Sequence, residues 1–287
     1  MVTRRHFLRW LLGMPVISSF LLPVPRLFAQ IPSLSRKQAS LSIGESFAGE
    51  IFHYEIDFWF LKRVAIATLS FTGAEEKGHH IITLKGETVG LIGFLSRYRV
   101  DTYRAVAEEI DGGRRLRSLS FDEYVKVGKK VRKNIHTFDH EKRVWIQRTI
   151  RSSGATSDVE HEIPQGKDYN DFLTAAYNFR YGTYGPIERG RTYTIPTFPR
   201  KGKDSYELKI APKNVEDEVR KSNGVMEESE YLIQVWLDPE IVNSPEGAIE
   251  GWLSKEIYPV EGIIKDVFLF GDVHGHLIKR EKAIGNP

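Results

Sequence analysis

The sequence predicts an all-β fold, mostly antiparallel, with one main helix. Apolar and polar residues alternate in long runs through most of the chain, which is the pattern of half-buried strands. A single segment, residues 168–184, replaces this period of two with a helical stripe. Many strands with one helix indicate a mainly antiparallel sheet rather than alternating β and α units. A chain of 287 residues is long enough to bury a sizeable core as one large domain.

The first predicted strand begins at residue 50, in the stretch GEIFHYEIDFWF. One side of this strand is apolar and carries Phe52, Tyr54, Ile56, Phe58 and Phe60. The other side is polar, so the strand is expected to have one face in the core.

A hairpin is predicted where Val131–Phe138 and Arg143–Ile150 flank the polar residues 139–142. Polar turn residues between two alternating runs are typical of such a connection. Further strands are predicted at Val64–Phe71, His80–Leu84, Arg97–Val106, Thr192–Phe198, Tyr206–Ala211, Tyr231–Leu237, Gly247–Ser254, Glu256–Val260 and Ile263–Lys279.

The helix is predicted in DYNDFLTAAYNFRYGTY, where the apolar stripe has helical spacing. Asp168 or Asn170 is expected to cap its start. Gly182 and Gly185 are expected to end it, because glycine accepts the left-handed conformation that closes many helices.

The first 29 residues have the layout of a signal peptide: a basic start, an apolar middle, and Ala29 at the expected cleavage site. Residues 3–8 read TRRHFL, and the pair Arg4 and Arg5 resembles the twin-arginine export signal. Three prolines interrupt the apolar stretch, so a retained membrane helix is less favoured. The predicted organisation is a signal peptide at 1–29, a linker at 30–48, one β-rich domain at 49–281, and a tail at 282–287.

Charge and cysteine content exclude several functions. The formal net charge of +3 comes from the N-terminus, because residues 30–287 hold 37 basic and 38 acidic residues. A nearly neutral body gives no electrostatic reason to expect nucleic acid as a partner. The chain has no cysteine, which excludes thiol catalysis, cysteine-bound metal and disulfides. No cofactor is predicted.

The stretch GDVHGH near the C-terminus places Asp272, His274 and His276 on one side of a predicted strand. Neighbours two apart lie about 6.6 Å apart, and the outer pair about 13 Å, so at most two could hold one metal. GDVHG is similar to the first metal motif of calcineurin-type phosphoesterases, but only twelve residues follow it and none of that family's later motifs. The favoured interpretation is a terminal strand; a metal-dependent hydrolase, with Asp57 as acidic partner, stays as the alternative.

A basic run lies in and around the predicted hairpin, and it consists of Lys126, Lys129, Lys130, Arg132 and Lys133. Such a run can attract an anionic lipid head group or a glycan. The favoured interpretation is a solvated hairpin face that protects the sheet from edge pairing.

Three stretches together resemble a bacterial envelope family, domain of unknown function 3108. They are GESFAGEIFHYEIDFWFLKRVAIATLSF, KDYNDFLTAAYNFR with the following Gly190, and GWLSKEIYPVEGIIKDVFLFGDVHGHL. The similarity runs from about Gly44 to Glu281. One departure is FLKR at 60–63, where the family usually has a tight glycine turn. The resemblance implies a location in the cell envelope and a strongly curved antiparallel sheet, similar to half-barrel lipoprotein carriers. It implies no activity and no catalytic residue.

These observations favour a periplasmic, non-enzymatic protein that binds or carries an apolar or amphipathic ligand on the concave side of its sheet. A lipid is one such ligand, a partner segment another; the export machinery and signal peptidase are further expected partners, and the mature protein is not expected to span a membrane. The alternatives are the metal-dependent hydrolase and an envelope assembly factor whose sheet edge pairs with another protein. The candidate ligand-binding residues are Tyr54, Phe58, Trp145, Tyr177 and Arg180.

Overall fold

A computed structural model describes residues 41–200, 202–222, 224–236, 248–264 and 272–282. These residues form one antiparallel sheet of fourteen strands with a few helices, which confirms the predicted fold class. The predicted signal peptide, with Arg4, Arg5 and Ala29, lies outside the described residues.

The strands are β1 (Glu50–Phe58), β2 (Leu61–Gly73), β3 (His79–Thr88), β4 (Val100–Ile110), β5 (Arg115–Val127), β6 (Lys130–Asp139), β7 (Val144–Ile150), β8 (Thr156–Glu162), β9 (Thr192–Arg200), β10 (Lys203–Ile210), β11 (Ser229–Trp236), β12 (Ala248–Ser254), β13 (Pro259–Ile264) and β14 (Val273–Lys282). The helices are α1 (Ile43–Phe47), α2 (Gly90–Leu95), α3 (Phe172–Tyr181) and α4 (Lys213–Ser222).

The sheet is a meander in two halves that meet at the pair β1 and β14. Its order is β8-β7-β6-β5-β4-β3-β2-β1-β14-β13-β12-β11-β10-β9. We call β1–β8 the N-terminal wing and β9–β14 the C-terminal wing. The rim is the end of the sheet where β1 connects to β2, β3 to β4, β5 to β6, β7 to β8, and β9 to β10. The base is the opposite end.

The sheet bends back on itself without closing. In a flat sheet, β9 and β7 would lie twelve strand spacings apart, or about 58 Å. Instead, the Phe198 ring of β9 lies 5.3 Å from the Trp145 ring of β7 and 5.7 Å from the Phe138 ring of β6. The two wings therefore face each other across a shared interior, which confirms the predicted curvature.

The two edge strands carry features that discourage pairing with another chain. β8 is almost wholly exposed and includes Asp158, Glu160 and Glu162. β9 contains Pro196 and Pro199, which cannot donate a backbone hydrogen bond. Charged residues and prolines are common means of protecting an exposed edge.

Helix α3 fills the interior near the base. The Asp171 carboxylate accepts hydrogen bonds from the Leu173 and Thr174 backbone N–H groups, so it is the N-cap. The prediction that Asp168 or Asn170 caps the helix was therefore wrong by one residue or more. Gly182, at φ 87°, ends the helix as predicted.

Two asparagines fix α3 against β5. Pairing between β5 and β6 begins at Ser120, so residues 116–118 of β5 have no β6 strand partner on that side. The Asn178 side chain fills this place, accepting from the Leu116 N–H at 2.8 Å and donating to the Leu116 carbonyl at 2.9 Å. The Asn170 side chain likewise accepts from the Ser118 N–H at 2.9 Å. The helix thereby supplies the hydrogen bonds that a further strand residue would supply.

The base is closed by α1 together with the end of α3. Phe47 of α1 contacts Tyr177 of α3, with ring centroids 5.1 Å apart, and Ile43 is fully buried. Tyr181 donates a hydrogen bond to the Leu41 carbonyl at 2.7 Å. The prediction that 30–48 is a linker was therefore wrong for its last residues, because α1 belongs to the packed core.

One strand prediction was wrong, and one helix was not predicted. Ile263–Lys279 is not one strand, because Ile264 ends β13, Val273 begins β14, and the two residues pair antiparallel. Residues 213–222 form the helix α4, whose Val215 and Val219 pack on the outer side of the C-terminal wing.

A buried histidine in the N-terminal wing predicts sensitivity to acid. His136 is 3% exposed and lies among the rings of Phe121, Trp145 and Phe198. Burial, followed by the neighbouring His161, lowers the pKa of His136 from 6.5 to about 4, against a small opposing effect of Asp122. Because the unfolded chain takes up this proton more readily, the free energy of unfolding should fall by about 3 kcal/mol as the pH drops from 6.5 to 4.

Urea denaturation at a series of pH values measures this slope. His136→Leu should remove most of it between pH 6.5 and 4, whereas His140→Leu, at a neighbouring half-buried histidine, should not. An unchanged slope in His136→Leu would assign the acid sensitivity to another group.

Candidate functional site

A cavity of about 570 Å³ lies in the interior between α3 and the rim. Several lining residues are at or next to the rim ends of their strands, including Arg200, Lys203, Trp236 and Ile264. The cavity therefore extends towards the rim, whereas α1 and α3 close the base. Its wall consists of Leu84, Tyr103, Phe172, Ala176, Phe179, Arg180, Thr197, Phe198, Arg200, Lys203, Ser205, Tyr206, Leu208, Ile233, Val235, Trp236, Ile249, Leu253, Pro259 and Ile264.

The wall is mainly apolar, and its charged groups share one sign. Among the lining residues that the structure describes, none is Asp or Glu, and the three charged residues are Arg180, Arg200 and Lys203. An apolar chamber with a few cationic groups suits a ligand that has a long apolar part and an anionic group.

Arg180 lies on the α3 side of the cavity and is held on several sides. Its Nη2 atom lies 2.9 Å from Glu50 Oε2, and both side chains are about 5% exposed. Its Nε–H donates to the Ile257 carbonyl at 2.9 Å. The guanidinium also lies over the rings of Phe47 and Tyr177, at 4.5 and 4.7 Å. Glu50 thus neutralises Arg180, which fixes the end of α3 to β1.

Arg200 and Lys203 form the rim side of the cavity, at the tip of the β9–β10 hairpin. Arg200 is paired with Glu123 of the opposite wing, and burial lowers the pKa of its guanidinium, which still stays charged. Lys203 has no ion-pair partner within the described ranges. Burial raises the pKa of the Tyr103 and Tyr206 hydroxyls, so both remain neutral hydrogen-bonding groups. The rim side therefore carries one uncommitted cation beside neutral hydroxyls.

Of the five residues predicted to bind ligand, Arg180 lines this cavity and the other four lie elsewhere. Tyr54 donates to the Pro259 carbonyl at 3.0 Å, and Phe58 is half-buried at the rim end of β1. Tyr177 is 1% exposed and packs on Phe47 and Phe71, while the Trp145 ring stacks on His161 at 4.0 Å. Burial raises the pKa of Tyr54 and of Tyr177.

The residues proposed for the alternative metal site are spread over β1 and β14. His274 pairs with Glu261 at 3.3 Å, and its ring lies 6.2 Å from that of His276. Asp57 instead accepts hydrogen bonds from Lys62 and the Arg63 N–H. Burial raises the pKa of Asp57, but these hydrogen bonds and the Lys62 charge together outweigh it, so the pKa lies below its usual value. Asp272 and His274 line a second cavity, of about 330 Å³, beside α4. Across the described part of the chain, no three His, Cys, Asp or Glu side chains come together as a metal would require.

The sequence of residues 53–257 matches the model of a protein family described as "Protein of unknown function (DUF3108)". The chain belongs to the DUF3108 family. This match covers well over half of the 287 residues and confirms the resemblance seen in the sequence.

A comparison with solved structures gives a distant likeness. The crystal structure of a "Beta-barrel-like Protein of Domain of Unknown Function DUF1849 from Brucella abortus" aligns with a TM-score of 0.42 and 9% sequence identity, covering 83% of this chain and 99% of that one. A comparison with curated proteins found no match. Within the described ranges, no helix combines the length and apolar composition needed to cross a bilayer.

The sequence reasoning missed most of the cavity wall, including Arg200, Lys203 and Tyr206. The strands that carry them were predicted in part, but nothing local shows that β9 and β10 face β3 and β4 across an interior. One signal was available in the sequence. The stretch FPRKGK at 198–203 holds three basic residues, which follow Pro196 and Pro199 and precede the strand predicted at Tyr206–Ala211.

Proposed function

We propose that this chain is an exported periplasmic protein that binds and carries an apolar or amphipathic envelope ligand with an anionic group, and that it catalyses no reaction. The observation that carries this proposal is the 570 Å³ interior cavity, with its apolar wall and, on its rim side, Lys203 as a cation that no described carboxylate pairs.

The size and chemistry of the cavity support binding rather than catalysis. Small-molecule sites usually measure about 300–1,000 Å³ and are lined mainly by apolar side chains. A catalytic centre usually requires a nucleophile, an acid or a base held close to partners of matched pKa. The cavity wall instead offers aliphatic and aromatic side chains, neutral hydroxyls and cations.

The proposed location rests on the N-terminal sequence. The basic start with Arg4 and Arg5, the apolar middle and the small Ala29 support export and cleavage by signal peptidase. The twin-arginine pattern supports transport after folding, because that route carries folded proteins. Cleavage after residue 29 would release the sheet and its cavity into the periplasm.

The two other functions considered from the sequence have less support. A metal-dependent hydrolase requires converging ligands, and His274 and Asp57 are each engaged by other groups. An assembly factor that adds a strand from a partner requires an accessible uncharged edge, whereas β8 carries carboxylates and β9 carries prolines.

A cavity-filling substitution tests the carrier function. Ala176 faces the cavity from α3, so Ala176→Trp should occupy the space that the ligand needs. We expect it to weaken binding of a fluorescent long-chain fatty acid by about tenfold or more, equivalent to 1.4 kcal/mol. Native mass spectrometry with lipid extraction should show a bound lipid in the unsubstituted chain and less in the variant.

Val159→Trp is the matched control, because Val159 is half exposed on β8, outside the cavity wall. It should bind the fatty acid as the unsubstituted chain does. The methyl ester of the same probe should bind more weakly than the acid, since it offers no anion to Lys203. Equal binding by Ala176→Trp, at an unchanged melting temperature, would show that the ligand lies elsewhere.

A further inference from the structure

Six large apolar side chains lie exposed together at the rim of the N-terminal wing. Each is between 58% and 69% exposed, and together they make up more than half of the exposed large hydrophobic residues in the described ranges. Single exposed apolar residues are ordinary on protein surfaces, but a cluster marks an interaction site. We call this cluster the rim patch: Trp59 and Phe60 in the β1–β2 turn, Leu91, Phe94 and Leu95 on α2, and Tyr98 after it.

The rim patch is held firmly by the backbone beneath it. The Val89 N–H donates to the Val64 carbonyl at 2.8 Å, and the Tyr98 N–H to the Gly93 carbonyl at 2.6 Å. A Cβ on Gly93 would lie 2.9 Å from the Thr88 carbonyl oxygen, so α2 approaches β3 as closely as glycine permits. The inner side of α2 is therefore occupied, and its apolar side chains are presented outwards.

Two residues of the rim patch, and one neighbour, also have left-handed backbone conformations. Trp59 has φ 52°, Tyr98 has φ 52°, and its neighbour Arg97 has φ 58°. Such conformations cost energy for residues other than glycine and are concentrated at functional sites. The surrounding fold therefore holds Trp59 and Tyr98 in unfavourable backbone conformations, and both of their side chains are exposed.

Cations surround the apolar residues. The Gly128 N–H in the β5–β6 turn donates to the Arg97 carbonyl at 2.9 Å, so the basic run seen in the sequence adjoins the rim patch. Five exposed cations of this surround have no ion-pair partner among the described residues: Arg97, Lys126, Lys129, Lys130 and Arg132. Three others are paired, Lys62 with Asp57, Arg63 with Glu55 and Arg99 with Asp101.

The two ends of the N-terminal wing differ in charge. The four rim connections, at 59–60, 89–99, 128–129 and 151–155, contain no Asp or Glu. By contrast, each of the base connections, at 74–78, 111–114 and 140–143, contains at least one. In this wing, basic residues without neighbouring acidic ones are therefore found in the rim connections and not in the base connections.

We propose that the rim patch docks on the surface of an anionic lipid bilayer. Tryptophan and other aromatic residues favour the interface between head groups and acyl chains, and nearby Lys and Arg residues attract anionic lipids. This docking goes beyond the proposed carrier function, because none of its residues lines the cavity. Since the cavity extends towards the same rim, docking would place its opening at the lipid surface.

A site-specific label tests the docking. The chain has no native cysteine, so Leu91→Cys and Val159→Cys each accept one environment-sensitive nitrobenzoxadiazole label. The full chain is mixed with phosphatidylcholine vesicles that contain or lack phosphatidylglycerol. We expect the label at 91 to shift to shorter wavelength and to be quenched by doxyl lipids with the anionic vesicles only, and the label at 159 to stay unchanged. A local readout is needed because residues 10–25, present in every variant, are apolar.

Two variants of the labelled chain separate the contributions. Lys129→Gln with Lys130→Gln should weaken the response of the label at 91 by more than tenfold, since each basic residue contributes about fivefold. Trp59→Ser with Phe94→Ser should abolish it at an unchanged melting temperature, because both side chains are exposed. Ala176→Trp should leave it intact, which distinguishes failed docking from failed ligand binding.

Three results would overturn the proposal. The first is an unchanged label at 91 with anionic vesicles. The second is an equal response to vesicles that lack phosphatidylglycerol, which would remove the role of charge. The third is a response that appears on raising the protein concentration without vesicles, which would identify a second copy of the chain as the occupant.

Discussion

Glu50→Gln should lower the free energy of unfolding by about 3–5 kcal/mol, because it leaves the Arg180 guanidinium buried without its counter-charge. The two side chains are about 5% exposed and their charged atoms lie 2.9 Å apart. Arg280, whose side chain is 35% exposed, lies 3.5 Å from Glu50 on the other side and is itself a cation, so it offers Arg180 no counter-charge. Denaturant unfolding at pH 7 measures the effect, which corresponds to roughly 10 °C in melting temperature for a domain of this size.

The double variant Glu50→Gln with Arg180→Met should recover much of this loss, because it removes the unpaired charge as well. Glu87→Gln is the matched control: its pair with Lys85 is 3.0 Å long, but the two side chains are 36% and 51% exposed. It should cost less than about 1 kcal/mol. A loss in Glu50→Gln no greater than that of the control would contradict a structural role for the buried pair.

Asn178→Ala should cost about 3–5 kcal/mol, because the Leu116 N–H and carbonyl both lose their partner on that side. Leu116 is fully buried, so water cannot readily replace the side-chain amide. We expect α3 to loosen on β5 before the sheet unfolds. Amide hydrogen exchange around residues 116–118 should therefore accelerate by more than exchange in β2 or β3.

Asn134→Ala is the control for this substitution. Asn134 is half-buried, and among the described residues its side chain bonds to the side chains of Glu123 and Thr149 and to no backbone group. Its loss should be near 1 kcal/mol. Equal losses in the two variants would mean that Asn178 acts through packing and not through the β5 backbone.

Local patterns were sufficient to predict part of the fold. The hairpin of β6 and β7 was predicted because alternation and polar turn residues agree there. Helix α3 was predicted because its apolar stripe and Gly182 agree. β8 was missed because TSDVEHE has almost no apolar residue, as expected of an exposed edge strand. Helix α4 was missed because Val215 and Val219 are its main apolar residues on a highly charged helix.

The candidate site was much harder to predict, for a physical reason. Its wall combines β3 and β4 with β9–β13, which meet only because the whole sheet bends. Trp145 belongs to the interior core, where Phe198 and His161 cover it, and no local pattern reveals those distant neighbours. The alternation places Glu50 on the same side of β1 as the buried Phe52, but nothing local reveals that it is the counter-charge of Arg180.

The pairing of β1 with β14 has a consequence for how the chain reaches its native state. Glu50 lies opposite Lys282, so the earliest and the latest strands form the central seam. Each wing is a ladder of neighbouring hairpins that can assemble locally, but the seam cannot form until the ribosome has delivered the last strand. Until then, β1 keeps one unpaired edge open to other chains. Equally, a linker from 282 to the residue before α1, with new termini at an exposed turn, would preserve every strand pair in a circularly permuted protein.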